Sequence, residues 1–201
     1  MEIFNENLIK KLSEDGFRKV QAAHIGIAGA GGLGSNCAHN LVRSGFKKFT
    51  IIDFDLVTAA NLDRQFYFLE QVGTSKVTAL KQNLLRINPE LEIEISAERI
   101  EKENIMQLFK KCKIVAECLD KAEYKSMLVE KLLPLGKFIV SVSGVGGIGD
   151  SDAIQVRRLK DKLVMIGDLK SDISKKPPIS PRVNIAAAKQ ADTILDYLLN
   201  G

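Results

Sequence analysis

Short apolar runs alternate along the chain with stretches in which apolar residues recur every three or four positions. Residues 5 to 22 read as a helix, His24-Ile-Gly-Ile-Ala28 as a strand, and Gly34 to Ser44 as a helix closed by Gly45, a residue suited to the left-handed position past a helix end. Lys48 to Ile52 reads as a second strand, and about Ser75 to Ile87 as a helix stopped by Asn88-Pro89. Leu91-Glu-Ile-Glu-Ile-Ser96 alternates with period two and suits a third strand.

A short helix near Glu103 to Lys111, the strand Ile114 to Leu119, a helix from about Ala122 to Leu133 and the strand Lys137 to Ser143 continue the alternation. Past Gly144 the pattern changes. Ala153-Ile-Gln-Val-Arg157 and Leu163-Val-Met-Ile166, separated by Lys160-Asp-Lys162, read as an antiparallel pair. Gly167 to Arg182, with Lys175-Lys-Pro-Pro-Ile-Ser-Pro181, is expected to be a mobile loop. Val183 to Leu199 carries Ile185, Ala188, Ile194, Leu195 and Leu198 at helical spacing and is expected to close the fold.

The strand before it and the helix after it give the segment Gly29-Ala-Gly-Gly-Leu-Gly-Ser35 a meaning that its composition alone lacks. Gly29, Gly31 and Gly34 match G-x-G-x-x-G in a strand-to-helix turn. One glycine makes the turn, one admits a phosphate close to the backbone, and one lets helix and strand pack tightly, while free helix amides face the anion. The bland alternative is a tight turn with no ligand. Asp53 ends the second strand, where an acidic residue commonly accepts hydrogen bonds from ribose. The reading is therefore an α/β, Rossmann-like, doubly wound and mostly parallel sheet with antiparallel strands near the C-terminus, and a ligand edge at the strand carboxyl ends.

Length and composition add bounds. With 201 residues and 45% hydrophobic content the chain can bury one sizeable core, and a single domain over 1–201 is expected. Charged residues make up 27%, and no apolar run approaches the roughly 20 residues that cross a bilayer. Met1-Glu-Ile-Phe-Asn-Glu lacks a signal pattern, so a cytoplasmic location and no membrane partner are expected. Cys37, Cys112 and Cys118 share no Cys-x-x-Cys spacing, which removes a disulfide framework and a four-thiolate zinc site. The net charge of +4 comes without interleaved aromatics, so no nucleic-acid partner is expected and a mild preference for an acidic one remains.

The connection after the second strand carries the candidate chemistry. Asn61, Arg64, Gln65 and Lys76 fall there, on the same edge as the glycine loop. Two positive side chains exceed what a nicotinamide ring requires and suit a triphosphate, whose displacement depends on positioning and charge neutralisation. Asp120 follows the strand Ile114 to Leu119 on that edge. A carboxylate beside a polyphosphate implies an intervening Mg²⁺, although a helix cap before Ala122 would also place an aspartate there.

In order along the chain, Gly29-Ala-Gly-Gly-Leu-Gly-Ser35, Asp53-x-Asp55, Asn61-Leu-Asp-Arg-Gln65, Gly73-x-x-Lys76 and Asp120 resemble the ThiF/MoeB/HesA superfamily of ubiquitin-activating-like adenylyltransferases. The short length and the tail from Pro181 are most similar to ThiF-type members that act on the sulfur carrier ThiS. The resemblance implies attack by a carrier's C-terminal glycine carboxylate on the α-phosphorus of ATP, giving an acyl-adenylate and pyrophosphate, in thiamine thiazole biosynthesis. By motif, Gly29, Gly31, Gly32 and Gly34 would approach the phosphates, and Asp53 would hold the ribose. Asn61, Arg64, Gln65 and Lys76 would bind phosphates and stabilise the transition state, and Asp120 would hold Mg²⁺. Asp55 would support the adjoining turn or bind nucleotide.

The implied partners are a ubiquitin-fold ThiS-like carrier ending in Gly-Gly, a separate sulfur donor protein and a second copy in a homodimer. No structural zinc is expected, because the paired Cys-x-x-Cys motifs of many relatives are missing, and no cysteine lies between Gly167 and Arg182 to take up sulfur. Lys121 and Lys125 stand where relatives usually have Asn and Arg. Arg18 matches poorly the N-terminal arginine that reaches a partner's site in some relatives, and the two histidines are expected in packing or surface roles. Three other readings keep part of the pattern: the same reaction on a molybdopterin-type carrier, a modified tRNA base or a peptide; an NAD-dependent oxidoreductase, which leaves Arg64, Lys76 and Asp120 unexplained; and a non-catalytic carrier-binding scaffold.

Overall fold

The computed structural model describes residues 2–172 and 174–201, so that of the residues named above Met1, and of the expected loop Ile173, lie outside the described residues. Seven strands form one sheet: β1 (His24–Ala28), β2 (Lys48–Ile52), β3 (Glu92–Ser96), β4 (Ile114–Glu117), β5 (Phe138–Val142), β6 (Gln155–Lys160) and β7 (Leu163–Gly167). Their spatial order is β3-β2-β1-β4-β5-β7-β6. All neighbours pair in parallel except β6 with β7. The chain order reverses at β1, between β2 and β4, which puts the crevice for ligands at the carboxyl ends of those strands.

In the middle of the sheet β4 and β5 are buried throughout and β1 from Ile25 onward, as parallel strands covered on both faces must be. On one face α1 (Glu2–Ala22), α2 (Gly32–Arg43), α3 (Lys76–Ile87) and α6 (Ser180–Asn200) supply the core around Ile25, Ile27, Leu41, Phe49 and Phe138. On the other, α4 (Ile105–Leu108) and α5 (Ala122–Leu132) pack Phe109, Leu128 and Leu132 against Val115 and Ile139. Gly26 of β1 makes room there, since a Cβ would stand 2.7 Å from the Phe109 ring.

Most elements lie within two residues of their expected bounds, and the differences have local causes. The N-terminal helix is broken at Ser13, whose φ of 65° and ψ of 165° are not helical. Its hydroxyl accepts the Gly16 N–H at 3.2 Å, the bond of a residue that starts a helix afresh. The helix expected near Glu103 to Lys111 shrinks to the single turn of α4. Helix α6 starts at Ser180 with Pro181 in its first turn, so Arg182 belongs to the helix and is buried instead of ending a loop. After α2, the Gly45 N–H bonds Val42 O at 3.1 Å and the Phe46 N–H bonds Leu41 O at 3.1 Å, which satisfies the last carbonyls and buries Phe46.

Strand β6 is an edge, with Val156 and Leu159 exposed among Arg157, Arg158 and Lys160. Among the described residues no helix is long and apolar enough to cross a membrane.

Gln190 joins α6 to the sheet. Wholly buried, it donates to Glu117 O at 3.1 Å and Val140 O at 2.7 Å, and its carbonyl oxygen accepts from Cys118 Sγ at 3.3 Å. Gln190→Leu strands these groups without partners, and unmade buried hydrogen bonds cost about 1 to 3 kcal/mol. We expect the urea midpoint of that variant to fall with an unchanged slope.

Candidate active site

The turn between β1 and α2 shows what each glycine does. Gly29 has φ of 96° and a Cβ there would lie 2.8 Å from Cys118 O, so turn geometry and the neighbouring strand both require glycine. At Gly34 a Cβ would fall 1.8 Å from Gly29 O, because the helix presses directly onto the loop. Gly31 differs: its φ is −77°, and a Cβ would meet only Gln65 Nε2, at 3.9 Å. Among the described residues nothing crowds the space over Gly31. It is also the cap residue of α2, with no side-chain cap, so the first amides of the helix stay free for an anion.

The loop is held from β2. Asp53 accepts the Ala30 N–H at 2.7 Å with one oxygen and the Asp55 N–H at 2.8 Å with the other. Each oxygen retains acceptor capacity, so a ribose role is compatible with this bridging one. The Asp55 carboxylate accepts from Lys76 Nζ at 2.7 Å, and its carbonyl accepts the Lys76 N–H at 2.9 Å. The Lys76 side chain is only 8% exposed.

The connection from Phe54 to Ser75 folds back over α2 through buried and half-buried polar contacts. Tyr67 Oη donates to Ala30 O at 2.6 Å, Asn36 Nδ2 donates to Arg64 O at 2.9 Å, and the Phe66 N–H donates to Ser35 Oγ at 3.0 Å. Asn61 Oδ1 accepts the Thr58 N–H at 3.0 Å and closes a short 3-10 turn. Arg64 Nη1 donates to Ala60 O at 2.9 Å and Asp63 Oδ1 at 2.6 Å. The Gln65 side-chain oxygen is buried and has no hydrogen-bond partner among the described residues.

A cavity of about 610 Å³ collects these residues. Gly29, Gly31, Gly32, Asp53, Asp55, Asn61, Arg64, Gln65, Lys76 and Asp120 all line it, and Gly34 alone of the expected set lies outside, beneath the loop. Asp120 is exposed, and among the described residues it makes no hydrogen bond or ion pair. The residue at the cap position of α5 is Lys121, without a side-chain cap, so the alternative role of Asp120 as a helix cap is not what the structure has. Among the described residues no three His, Cys, Asp or Glu side chains gather as a metal site. A single exposed carboxylate suits Mg²⁺, which takes its remaining ligands from phosphates and water.

Under the same edge lies a carboxylate that the sequence reading passed over. Glu117, at the end of β4, is fully buried. It accepts the Leu119 N–H at 2.7 Å, both its oxygens lie 3.1 Å from Lys125 Nζ, and Ser141 Oγ donates to it. The one signal was an acidic residue inside the otherwise apolar Ile114-Val-Ala-Glu-Cys-Leu119. Phe54, Arg99 and Tyr124 also line the cavity and were not singled out.

The thiols are inert by position. Cys37, Cys112 and Cys118 are free and buried. Burial raises all three, Cys112 to about 11, and so keeps them protonated. His24, whose Nε2 lies 2.8 Å from Thr50 Oγ1, and His39, packed against Phe66, are both lowered by burial first. Neither lines the cavity. Arg18 is exposed and pairs with Asp15 on α1 at 3.6 Å.

Residues 4–195 match the ThiF family. The chain belongs to that family. It is 31% identical over 122 residues to the molybdopterin-synthase adenylyltransferase of Haemophilus influenzae, a match covering 60% of this chain and 50% of that protein. Over 160 residues it is 30% identical to tRNA threonylcarbamoyladenosine dehydratase 2 of Saccharomyces cerevisiae, covering 75% of this chain and 35% of that protein. This ThiF-family chain thus spans no more than half the length of either relative. Among solved structures, the E. coli tRNA N6-threonylcarbamoyladenosine dehydratase in complex with AMP has a TM-score of 0.87 at 20% identity, covering 96% of this chain and 92% of that one. At that identity the likeness is one of fold.

The Glu117–Lys125 pair supplies a test of the edge. Removing one member of a buried pair leaves an uncompensated charge at a cost of about 3 to 5 kcal/mol. Lys125→Met is expected to lower the melting temperature markedly, with much of the loss recovered in the double variant Glu117→Gln/Lys125→Met, both read by calorimetry.

Proposed function

We propose that this chain adenylylates the C-terminal glycine carboxylate of a ThiS-like, ubiquitin-fold sulfur carrier at the expense of ATP, releasing pyrophosphate, in thiamine thiazole biosynthesis. The observation that carries the reading is the convergence on one cavity of free α2 amides with open space above Gly31, the cations Arg64 and Lys76, and the exposed Asp120. The AMP complex of the E. coli tRNA dehydratase, a protein of the same fold, supports a nucleotide as the ligand. The adenylyltransferase name of the Haemophilus relative supports the reaction type.

In this mechanism the carrier's carboxylate oxygen forms a bond to the α-phosphorus. The bond from that phosphorus to the bridging oxygen breaks, and the electron pair leaves with pyrophosphate. The amides of α2 bind the phosphate oxygens, and Lys76, oriented by Asp55, neutralises charge as it moves toward the leaving group. Arg64, whose Nη1 is held by Asp63 and Ala60, presents its remaining N–H groups to the same anion. Asn61 and Gln65 supply the neutral contacts, the Gln65 amide having a free buried oxygen. Asp53 holds the ribose hydroxyls beside the loop that it braces. Asp120 would hold Mg²⁺, which when bound with ATP neutralises phosphate charge.

With every cysteine either buried or outside the segment before α6, the reaction stops at the acyl-adenylate, and a separate protein delivers sulfur. The protein works as a homodimer in a cytoplasmic compartment. A modified tRNA base as the acceptor is the second reading, favoured by the yeast dehydratase relative.

Incubation with ATP and Mg²⁺ and either a Gly-Gly-ended carrier or tRNA, followed by mass spectrometry, separates the two. An AMP-sized adduct on the carrier is expected. Adduct on the tRNA alone would move the substrate to the second reading, and absence of ATP binding would end both. Arg64→Ala is expected to cut carrier-dependent ATP–pyrophosphate exchange by several orders of magnitude, comparable to the roughly 10³ to 10⁵ contributed by arginines in phosphoryl transfer. Turnover within threefold of the parent would remove Arg64 from the mechanism. Asp120→Asn is expected to keep the melting temperature and to raise the Mg²⁺ concentration needed for half-maximal exchange.

A further inference from the structure

Among the residues that line the cavity, three side chains from three separate segments form one layer. Phe54 follows β2, Arg99 follows β3, and Tyr124 sits in the first turn of α5, beyond β4; all three line the cavity. The Arg99 guanidinium carbon lies 4.2 Å from the Phe54 ring centroid, over a ring that is half exposed. Its Nη1 donates to Tyr124 Oη at 3.2 Å, and Lys121 Nζ lies 5.8 Å from the Tyr124 ring centroid. Because β3 and β4 flank β2 and β1 in the sheet, the Arg99 side chain spans the cleft into which the glycine loop opens.

The backbone that carries Arg99 is fixed before any ligand arrives. Asn104 Nδ2 donates to Arg99 O at 2.9 Å and to Glu98 Oε2 at 3.0 Å, and Asn104 Oδ1 accepts the Glu101 N–H at 2.8 Å. A long, charged, exposed side chain usually samples many rotamers; this one has an aromatic ring beneath it and a hydroxyl at its tip. Neither partner neutralises its charge. The floor beside this layer is apolar, with the buried Ile52 and Ile100 also lining the cavity. A planar cation on an aromatic ring, beside an aliphatic floor, is a surface for a flat π-system.

Resting on the nucleotide reading above, we propose that Arg99, laid on Phe54 and tied to Tyr124, is the base-holding residue of the site, and that a purine ring stacks in this layer while its phosphates lie at the glycine loop. The strap then governs affinity for the nucleoside part and leaves the phosphate part alone. It lies outside the reacting groups, so it sets how much ATP is needed and not how fast bound ATP reacts.

Calorimetric titrations of the parent, Arg99→Ala, Arg99→Lys and Phe54→Leu with AMP, ATP and inorganic tripolyphosphate test this, with circular dichroism melts verifying the fold. For Arg99→Ala, Kd for AMP and ATP is expected to rise about tenfold, within the range that loss of one base-stacking side chain gives. Tripolyphosphate binding should stay within twofold of the parent. Arg99→Lys, which keeps the charge and loses the plane, should not restore AMP binding, and Phe54→Leu should shift it in the same direction. In ATP–pyrophosphate exchange, KM for ATP should rise with kcat unchanged. Parent-like AMP binding by Arg99→Ala would overturn the inference, as would an equal loss for tripolyphosphate, which would mean attraction by charge alone. Either result leaves the nucleotide reading standing, whereas a parent that binds neither AMP nor ATP overturns both.

Discussion

A helix can direct its free amides into a cleft only if it leaves the preceding strand with almost no slack. Here that constraint is met at one contact, where α2 presses its third residue, Gly34, onto the carbonyl of Gly29, so closely that a single methyl group would occupy the oxygen's place. The close approach sets the aim of the helix, which sets where an anion is held, and the cavity is arranged around that point. The Asp53 carboxylate keeps the loop in this position by linking Ala30 to Asp55. Through Asp55 the same brace reaches Lys76, so a cation and the anion cradle are positioned by one pair of neighbouring carboxylates.

Polar contacts at the strand ends do the remaining work of positioning. Tyr67 ties the connection after β2 to the glycine loop, Glu117 and Lys125 hold the backbone that leads to Asp120, and Gln190 links α6 to β4 and β5. Tyr67, Glu117 and Gln190 are buried, Lys125 is partly so, and each is partnered; a low-dielectric interior makes such networks costly to leave incomplete. Near the start of α6, Arg182 bonds Gly149 O, Asp150 O and the Asp168 carboxylate, while the Gly147 N–H bonds Pro177 O. The segment expected to be a mobile loop is thus tied at both of its ends. Asp168 is partly buried, yet amides from Ser171 and Lys170 and the Arg182 guanidinium hold its carboxyl below the usual range.

The strands and the order of helices were legible because their signals are periodic and local: Lys48 to Ile52 is a strand in sequence and in structure alike. The glycine loop was legible because a strand before it and a helix after it restrict what its glycines can be for. Two kinds of information were not local. That β7 lies between β5 and β6 depends on pairing across the sheet, which the apolar run Leu163 to Ile166 does not encode on its own. The partners of Glu117, Lys125 and Ser141 lie on different elements, and no spacing rule joins them. Arg99 was invisible for the same reason. In sequence it is one arginine after a strand, and its meaning comes from Phe54 and Tyr124, brought beside it by the fold.

Strand β6 leaves one row of backbone donors and acceptors uncovered at the rim of the sheet, and open rims of this kind invite self-assembly. The side chains along it answer that hazard. Three of its six residues, Arg157, Arg158 and Lys160, are cationic, so two copies docking rim to rim would oppose like charges along the seam. The molecule can therefore carry the exposed Val156 and Leu159 without growing into ribbons, and any neighbour that adds a strand there must bring acidic side chains.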